Sequence, residues 1–360
     1  MYYVYLLCPL ALLVWILIRH THRLLIHQKL RHQYGTAETA RFPQKLLHFG
    51  SDFLKPYDAV RRTPEWLPFI RQLLDNPGRT TSVSVWGEEW LFTSQPDNIR
   101  AINTLAASSM GVEHLRKPAN SQWMGDGMFV SDGERWKLSR TLFKPMFSRL
   151  SISSFDSVEL HFRRFLALLP KDGVELDLAP MLKRLYFDVS TEMLFGESVN
   201  SQVPEKARID IEVFEHSFAT AMAAMYRKAS LGVKFTLFDD ETELKRHYHC
   251  VHRIFDEQIR EALEDHKSAS HRDSMLHSLI EYSSDEKFLR DQLLNVFLGA
   301  KDTAALGIGF VFFHLARHPR VWEKLQNEIE QIGPEPLTFE LLKSMKYLQN
   351  TISESAFPWP

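Results

Sequence analysis

Cysteine is nearly missing from this 360-residue chain: only Cys8 and Cys250 occur. Two thiols cannot build a disulfide framework, and such sparse use fits a reducing, cytosol-facing compartment. No Asn-x-Ser/Thr acceptor for N-glycosylation occurs anywhere, in keeping with a body that never enters the secretory lumen. A surplus of either charge is missing too. The 43 Lys and Arg against 45 Asp and Glu leave a formal net charge of -2, so there is no electrostatic case for a nucleic-acid partner. Internal repeats and low-complexity linkers are also lacking. What remains is 44% hydrophobic and 24% charged, the composition of a globular protein with a large core.

The first residues differ from the rest. Tyr2 to Ile18 carries no charge, and Arg19, His20, His22 and Arg23 follow at once. The run is at the short end of what spans a bilayer. A cleavable signal peptide would put the positive charge first and small residues last, so residues 1–18 read as an uncleaved transmembrane signal anchor. Charge on the C-terminal flank keeps the body cytosolic, with Tyr2, Tyr3, Tyr5 and Trp15 suited to the interfaces. The expected setting is the endoplasmic-reticulum membrane, crossed once. Residues 19–64 form a basic juxtamembrane stretch broken by Pro43 and Pro56; its His20, His22, His27 and His32 read as a solvated collar near anionic headgroups rather than a metal site.

From residue 65 onward the patterning is mostly helical. TTSVSVWGEEWLFTSQP is the exception and predicts a hairpin, with Val83 and Val85 facing Leu91 and Thr93 across a turn at Gly87-Glu88. Ser94, Pro96 and the following NIRAINTL start a helix. Between Asp239 and His266, the residues Leu244, Tyr248, Val251, Phe255, Ile259 and Ala262 share one helical face. Within it, His247-Tyr-His-Cys-Val-His252 invites a metal reading, but its spacings spread the side chains around the helix and favour a solvated face.

Two segments carry candidate chemistry. Between Met124 and Arg140, glycines 125, 127 and 133 mark turns, and a helix begins near Gly133. Trp136 and Arg140 stand four apart on one face of it. An indole N–H and a guanidinium so placed suit a carboxylate; alone, the pair reads first as an ordinary cation–π or packing contact. The second segment, Asp291 to Arg317, is an apolar helix that carries Gly299-Ala300-Lys301-Asp302-Thr303 at its middle. Gly299, Ala300 and Ala304 leave room for a flat ligand near the backbone. Charge there is costly unless paired or functional, which leaves a salt-bridged core helix as the alternative. Asn295, Lys301 and Asp302 argue against a transmembrane helix.

The Trp136/Arg140 stretch, Phe195-Gly-Glu-Ser-Val199, the Pro145 neighbourhood and Gly299 to Thr303 together resemble the cytochrome P-450 superfamily, in its fungal alkane and fatty-acid hydroxylase branch. The resemblance implies a mainly α cytochrome P-450 fold with a small β element over residues 65–360. It implies a haem propionate held by Trp136 and Arg140, and a haem face crossed at Gly299 and Ala300, Ala300 standing where the family usually has Gly. It assigns proton delivery to Asp302 and Thr303, electrons to an NADPH-dependent reductase on the same membrane, and an apolar small molecule as substrate.

Tyr347 to Glu354 resembles the family helix bearing Glu-x-x-Arg, but three residues after Glu354 stands Phe357, and Pro358-Trp359-Pro360 follows. The family's haem-ligating cysteine loop has no counterpart here, since Cys8 falls in the anchor and Cys250 in the helix described above. The expectation is therefore a C-terminally incomplete, truncated P-450 chain that gives no thiolate-type Soret band with carbon monoxide. A catalytically dead product and a non-catalytic membrane-tethered helical binding protein stand as alternatives.

Overall fold

The computed structural model describes residues 50–61, 63–147, 155–231, 241–267, 274–333 and 337–356, with scattered positions between 14 and 45. Most of the expected anchor, His20 and His27 of the collar, and Phe357 to Pro360 lie outside the described residues. His22 and His32 are exposed, and among the described residues no group of His, Cys, Asp or Glu is placed to hold a metal ion. The chain packs as two compact units, residues 1–110 and 111–360.

The first unit holds the β structure. Strands β1 (Ala40–Arg41), β2 (Thr80–Val85) and β3 (Glu88–Thr93) form one sheet, with β1 parallel and β3 antiparallel to β2. Helices α1 (Ser51–Val60), α2 (Trp66–Leu73) and α3 (Pro96–Arg100) accompany it. Its core centres on Phe53, fully buried among the rings of Phe42, Tyr57, Phe69, Trp90 and Phe92. The hairpin forms as expected, but its register differs. Val83 lies opposite Trp90 and Val85 opposite Glu88, not opposite Leu91 and Thr93. The two turn residues are Trp86 and Gly87, both left-handed with φ of 52° and 80°, and such two-residue turns match the twist of the strands. Moving the turn back one residue puts Leu91 on the outer face, where it is 61% exposed.

The second unit is helical throughout: α4 (Glu113–Met124), α5 (Gly133–Met146), α6 (Asp156–Leu168), α7 (Leu178–Phe195), α8 (Ile211–Leu231), α9 (Glu241–Lys267), α10 (Met275–Ile280), α11 (Glu286–Leu315), α12 (Pro319–Ile332), α13 (Phe339–Ser344) and α14 (Lys346–Ser355). The mainly helical reading holds. Local chemistry sets many of the ends. Asp177, Ser274, Asp285 and Thr338 each accept a backbone N–H of the helix they precede. Pro319 sits in the first turn of α12, and Gly196, left-handed at φ 79°, closes α7. Glu328 of α12 accepts the N–H groups of Tyr347 and Leu348 at 2.9 and 2.8 Å, which caps α14 from outside.

Helix α11 runs through this unit and packs most extensively on α7 and α9. Its first half is core: Leu289, Leu293, Leu294 and Phe297 are essentially unexposed. Phe297 touches the rings of Phe187, Phe214, Phe218 and Phe255 at centroid distances of 5.5 to 6.1 Å, and such aromatic pairs add about 0.5–1.5 kcal/mol each beyond their buried area. The predicted face of α9 is the buried one, with all six of its residues at 8% exposure or less.

Candidate functional site

The α4–α5 connection is built by exchange of backbone and side-chain groups. Asp132 Oδ2 accepts the Glu113 N–H at 2.8 Å, and Glu113 Oε2 accepts the Asp132 N–H at 3.1 Å. Backbone hydrogen bonds from Glu113 and then Val112 hold the Asp132 carboxyl below the usual carboxylate range. One turn along α5, the Arg140 guanidinium carbon lies 5.4 Å from the Trp136 ring centroid. The two residues share a face as expected, stacked and exposed to solvent.

The loop between these helices is held down by α11. Asn295, fully buried, accepts the Phe129 N–H at 2.8 Å and donates to the carbonyls of Met124 and Asp291 at 2.9 and 2.8 Å. Asp291 accepts the Asp126 N–H at 3.1 Å. Gly125 and Gly127 let the loop lie against these two side chains, because a Cβ at either would overlap the Asp291 carboxylate or the Asn295 amide. The glycines that mark turns in the sequence therefore also serve a close approach.

At the centre of α11 the motif residues face different ways. Gly299 lies beside the Phe129 ring, which a Cβ would meet at 3.7 Å. The Thr303 hydroxyl donates to the Gly299 carbonyl one turn back, and Thr303 itself is exposed. Ala300 is half-buried. Lys301 is 1% exposed. Its ammonium meets Glu215 of α8 at 2.8 and 2.9 Å and Asp302 at 3.0 Å, with the rings of Phe187 and Phe218 at 5.5 and 5.1 Å. Asp302, its side chain 35% exposed, is thus engaged by Lys301. Beyond Thr303 one side of the helix stays packed, with Ala305 and Leu315 at 4% exposure, while Leu306 and Phe310 are 55% and 56% exposed.

Sequence reasoning missed Asp291, Asn295, Lys301 and Glu215 as organising residues. Polar side chains inside an apolar helical run were the available signal for the first three; nothing in the sequence singles out Glu215. The histidine cluster on α9 does not assemble. His247 bonds to Ser217 Oγ at 3.1 Å, and His252 stacks on Trp123 and bonds to its carbonyl at 2.8 Å. Of the three histidines only His249 is exposed, so the expected solvated face gives way at His247 and His252, whose rings pack toward α8 and α4. Glu354 lies exposed on α14.

A mainly helical fold around a long helix with Gly-Ala-Lys-Asp-Thr at its middle, and a Trp/Arg pair on α5, fits a cytochrome P-450. The chain belongs to the cytochrome P-450 family, whose model matches residues 61–356. It is 30% identical to the cytochrome P-450 monooxygenase iccC of Talaromyces variabilis, over 89% of this chain and 66% of that protein. It is 32% identical to cytochrome P-450 52A12 of Debaryomyces hansenii, over 79% of this chain and 59% of that protein. A third relative, the monooxygenase iliC of a Neonectria species, is 30% identical over 81% and 59%. The chain thus spans roughly three-fifths to two-thirds of the length of these relatives. The family uses haem and a reductase.

Proposed function

We propose that this chain carries the oxygen-side portion of a membrane-anchored P-450 monooxygenase, which inserts one oxygen atom into a C–H bond of an apolar small molecule. The observation that carries the reading is the centre of α11: an acid, Asp302, and a hydroxyl, Thr303, follow the small residues Gly299 and Ala300, the hydroxyl on the Gly299 carbonyl and the acid on Lys301, just before the helix exposes apolar Leu306 and Phe310. The available donors suit haem. Trp136 and Arg140 offer an indole N–H and a guanidinium, both accessible, to a propionate, and Gly299 and Ala300 admit a flat ring. When bound, haem supplies the oxygen-activating chemistry. Trp136 and Arg140 would hold its carboxylates, and Asp302 and Thr303 would meter protons. Electrons come from a reductase on the same membrane, to which residues 1–18 anchor the chain facing the cytosol.

In the intact protein, Arg140→Leu is expected to lower the amount of haem retained on purification. Asp302→Asn should lower product formation about 10²- to 10⁴-fold, the range of a lost acid–base group, with haem content unchanged. Haem retention and turnover both at wild-type levels in these variants would overturn the assignment.

A further inference from the structure

We propose that Lys301 and Glu215 are positioning residues for Asp302: one buried ammonium, shared by carboxylates of two helices, ties α8 to α11 and sets where the Asp302 side chain rests. The proposal builds on the role given to Asp302 above.

A buried ammonium needs partners for its charge and its three donors. Lys301 donates to Glu215 Oε2 at 2.9 Å and to Asp302 Oδ1 at 3.0 Å, and Glu215 Oε1, 2.8 Å away, adds a charge contact, while Phe187 and Phe218 lie at 5.5 and 5.1 Å. Stability alone does not call for this arrangement. An apolar side chain between two phenylalanine rings would fill the same space without the cost of desolvating a cation. The two acidic side chains are partly exposed, at 31% and 35%, although Glu215 Oε1 itself is buried.

The arrangement has a consequence for Asp302. Its carboxylate is turned to Lys301, whereas the Thr303 hydroxyl beside it in sequence is turned to the Gly299 carbonyl. Moving a proton from Asp302 to the Thr303 side requires the carboxylate to leave Lys301. Glu215, which meets the ammonium with both oxygens, keeps that charge satisfied while Asp302 is away. Displacement of α8 would weaken this support and hold Asp302 more firmly on Lys301.

The test compares Lys301→Gln, Lys301→Arg, Glu215→Gln and Asp302→Asn, singly and in pairs, in the intact protein. Thermal unfolding should show strong non-additivity: Glu215→Gln with Lys301→Gln should lower Tm little more than the larger single loss, and so should Asp302→Asn with Lys301→Gln. The infrared carboxylate band assigned to Asp302 by subtracting the Asp302→Asn spectrum should move in Glu215→Gln and in Lys301→Gln, and return in Lys301→Arg. Additive Tm losses would overturn the shared-cation link. Non-additive losses with an unmoved Asp302 band would reduce Lys301 and Glu215 to structural residues and so overturn the positioning role. Neither readout depends on turnover. A protein that passes both yet forms no product refutes the monooxygenase reading and leaves the link between α8 and Asp302 standing.

Discussion

Asn295 has three backbone partners and no exposure, and two of the three lie in a segment more than 160 residues away in sequence. Asn295→Leu keeps the volume but leaves the Phe129 N–H and the Met124 carbonyl unpaired. Buried groups left without partners cost about 1–3 kcal/mol each. The expected outcome is a lower urea midpoint with an unchanged slope, worth about 3 kcal/mol in all. A stability within 0.5 kcal/mol of wild type, about the scatter of neutral surface changes, would show that α11 does not hold the loop. The sequence marked Asn295 only as a polar interruption of an apolar run. Its partners were illegible because local periodicity says which face a residue occupies and nothing about the distant segment that meets that face.

Among the elements, α9 shows both what patterning predicts and where it stops. Its apolar stripe was readable residue by residue from Leu244 to Ala262. The stacking of His252 on Trp123, at 5.7 Å between ring centroids and nearly parallel, was not. Burial pushes the His252 imidazole below its ordinary value, the bond to the Trp123 carbonyl opposing this and Arg290 adding to it. The folded chain therefore prefers the neutral ring. That contribution to stability is complete above about pH 6.5, the unfolded value, and is lost as pH falls toward the depressed folded value. His252→Gln keeps an N–H donor and removes the titration. Urea unfolding of wild type between pH 7.5 and 5.5 (chosen to bracket that value of about 6.5) should lose stability more steeply than the variant. Parallel pH curves for the two proteins would rule out His252 as a source of the dependence. The hairpin teaches a similar lesson. Its existence followed from alternation and Gly87, but its register depended on Trp86 accepting a left-handed backbone, which side-chain identity does not announce.

For the molecule as a whole, the divided character of α11 matters most. Its first half is buried, with Asp291, Asn295 and Lys301 satisfied by protein partners. Its second half exposes Leu306, Phe310, Phe312 and Phe313 at 43% to 56%. It is also the one helix, among the described residues, long and apolar enough to cross a membrane; the protein partners of its first half mark that part as a core helix. Exposed apolar surface of this kind binds hydrophobic dyes and promotes association. The 360-residue chain should raise the fluorescence of an anilinonaphthalene dye, and Leu306→Gln with Phe310→Gln should reduce that rise and the aggregated fraction in light scattering. An unchanged dye signal would place the accessible apolar surface elsewhere.

What the sequence alone determined is local or chemically distinctive: the helical and β character of its segments, the buried face of α9, and the two motifs that resemble a cytochrome P-450. Each is written within a few turns of chain, where side-chain spacing and backbone preference act directly. The tertiary structure decided the partners. Glu215 reaches Lys301 across 86 residues, and Asn295 reaches Phe129 across 166. Such pairs arise only when packing brings distant helices together and a buried polar group must take whatever donor or acceptor lies within reach.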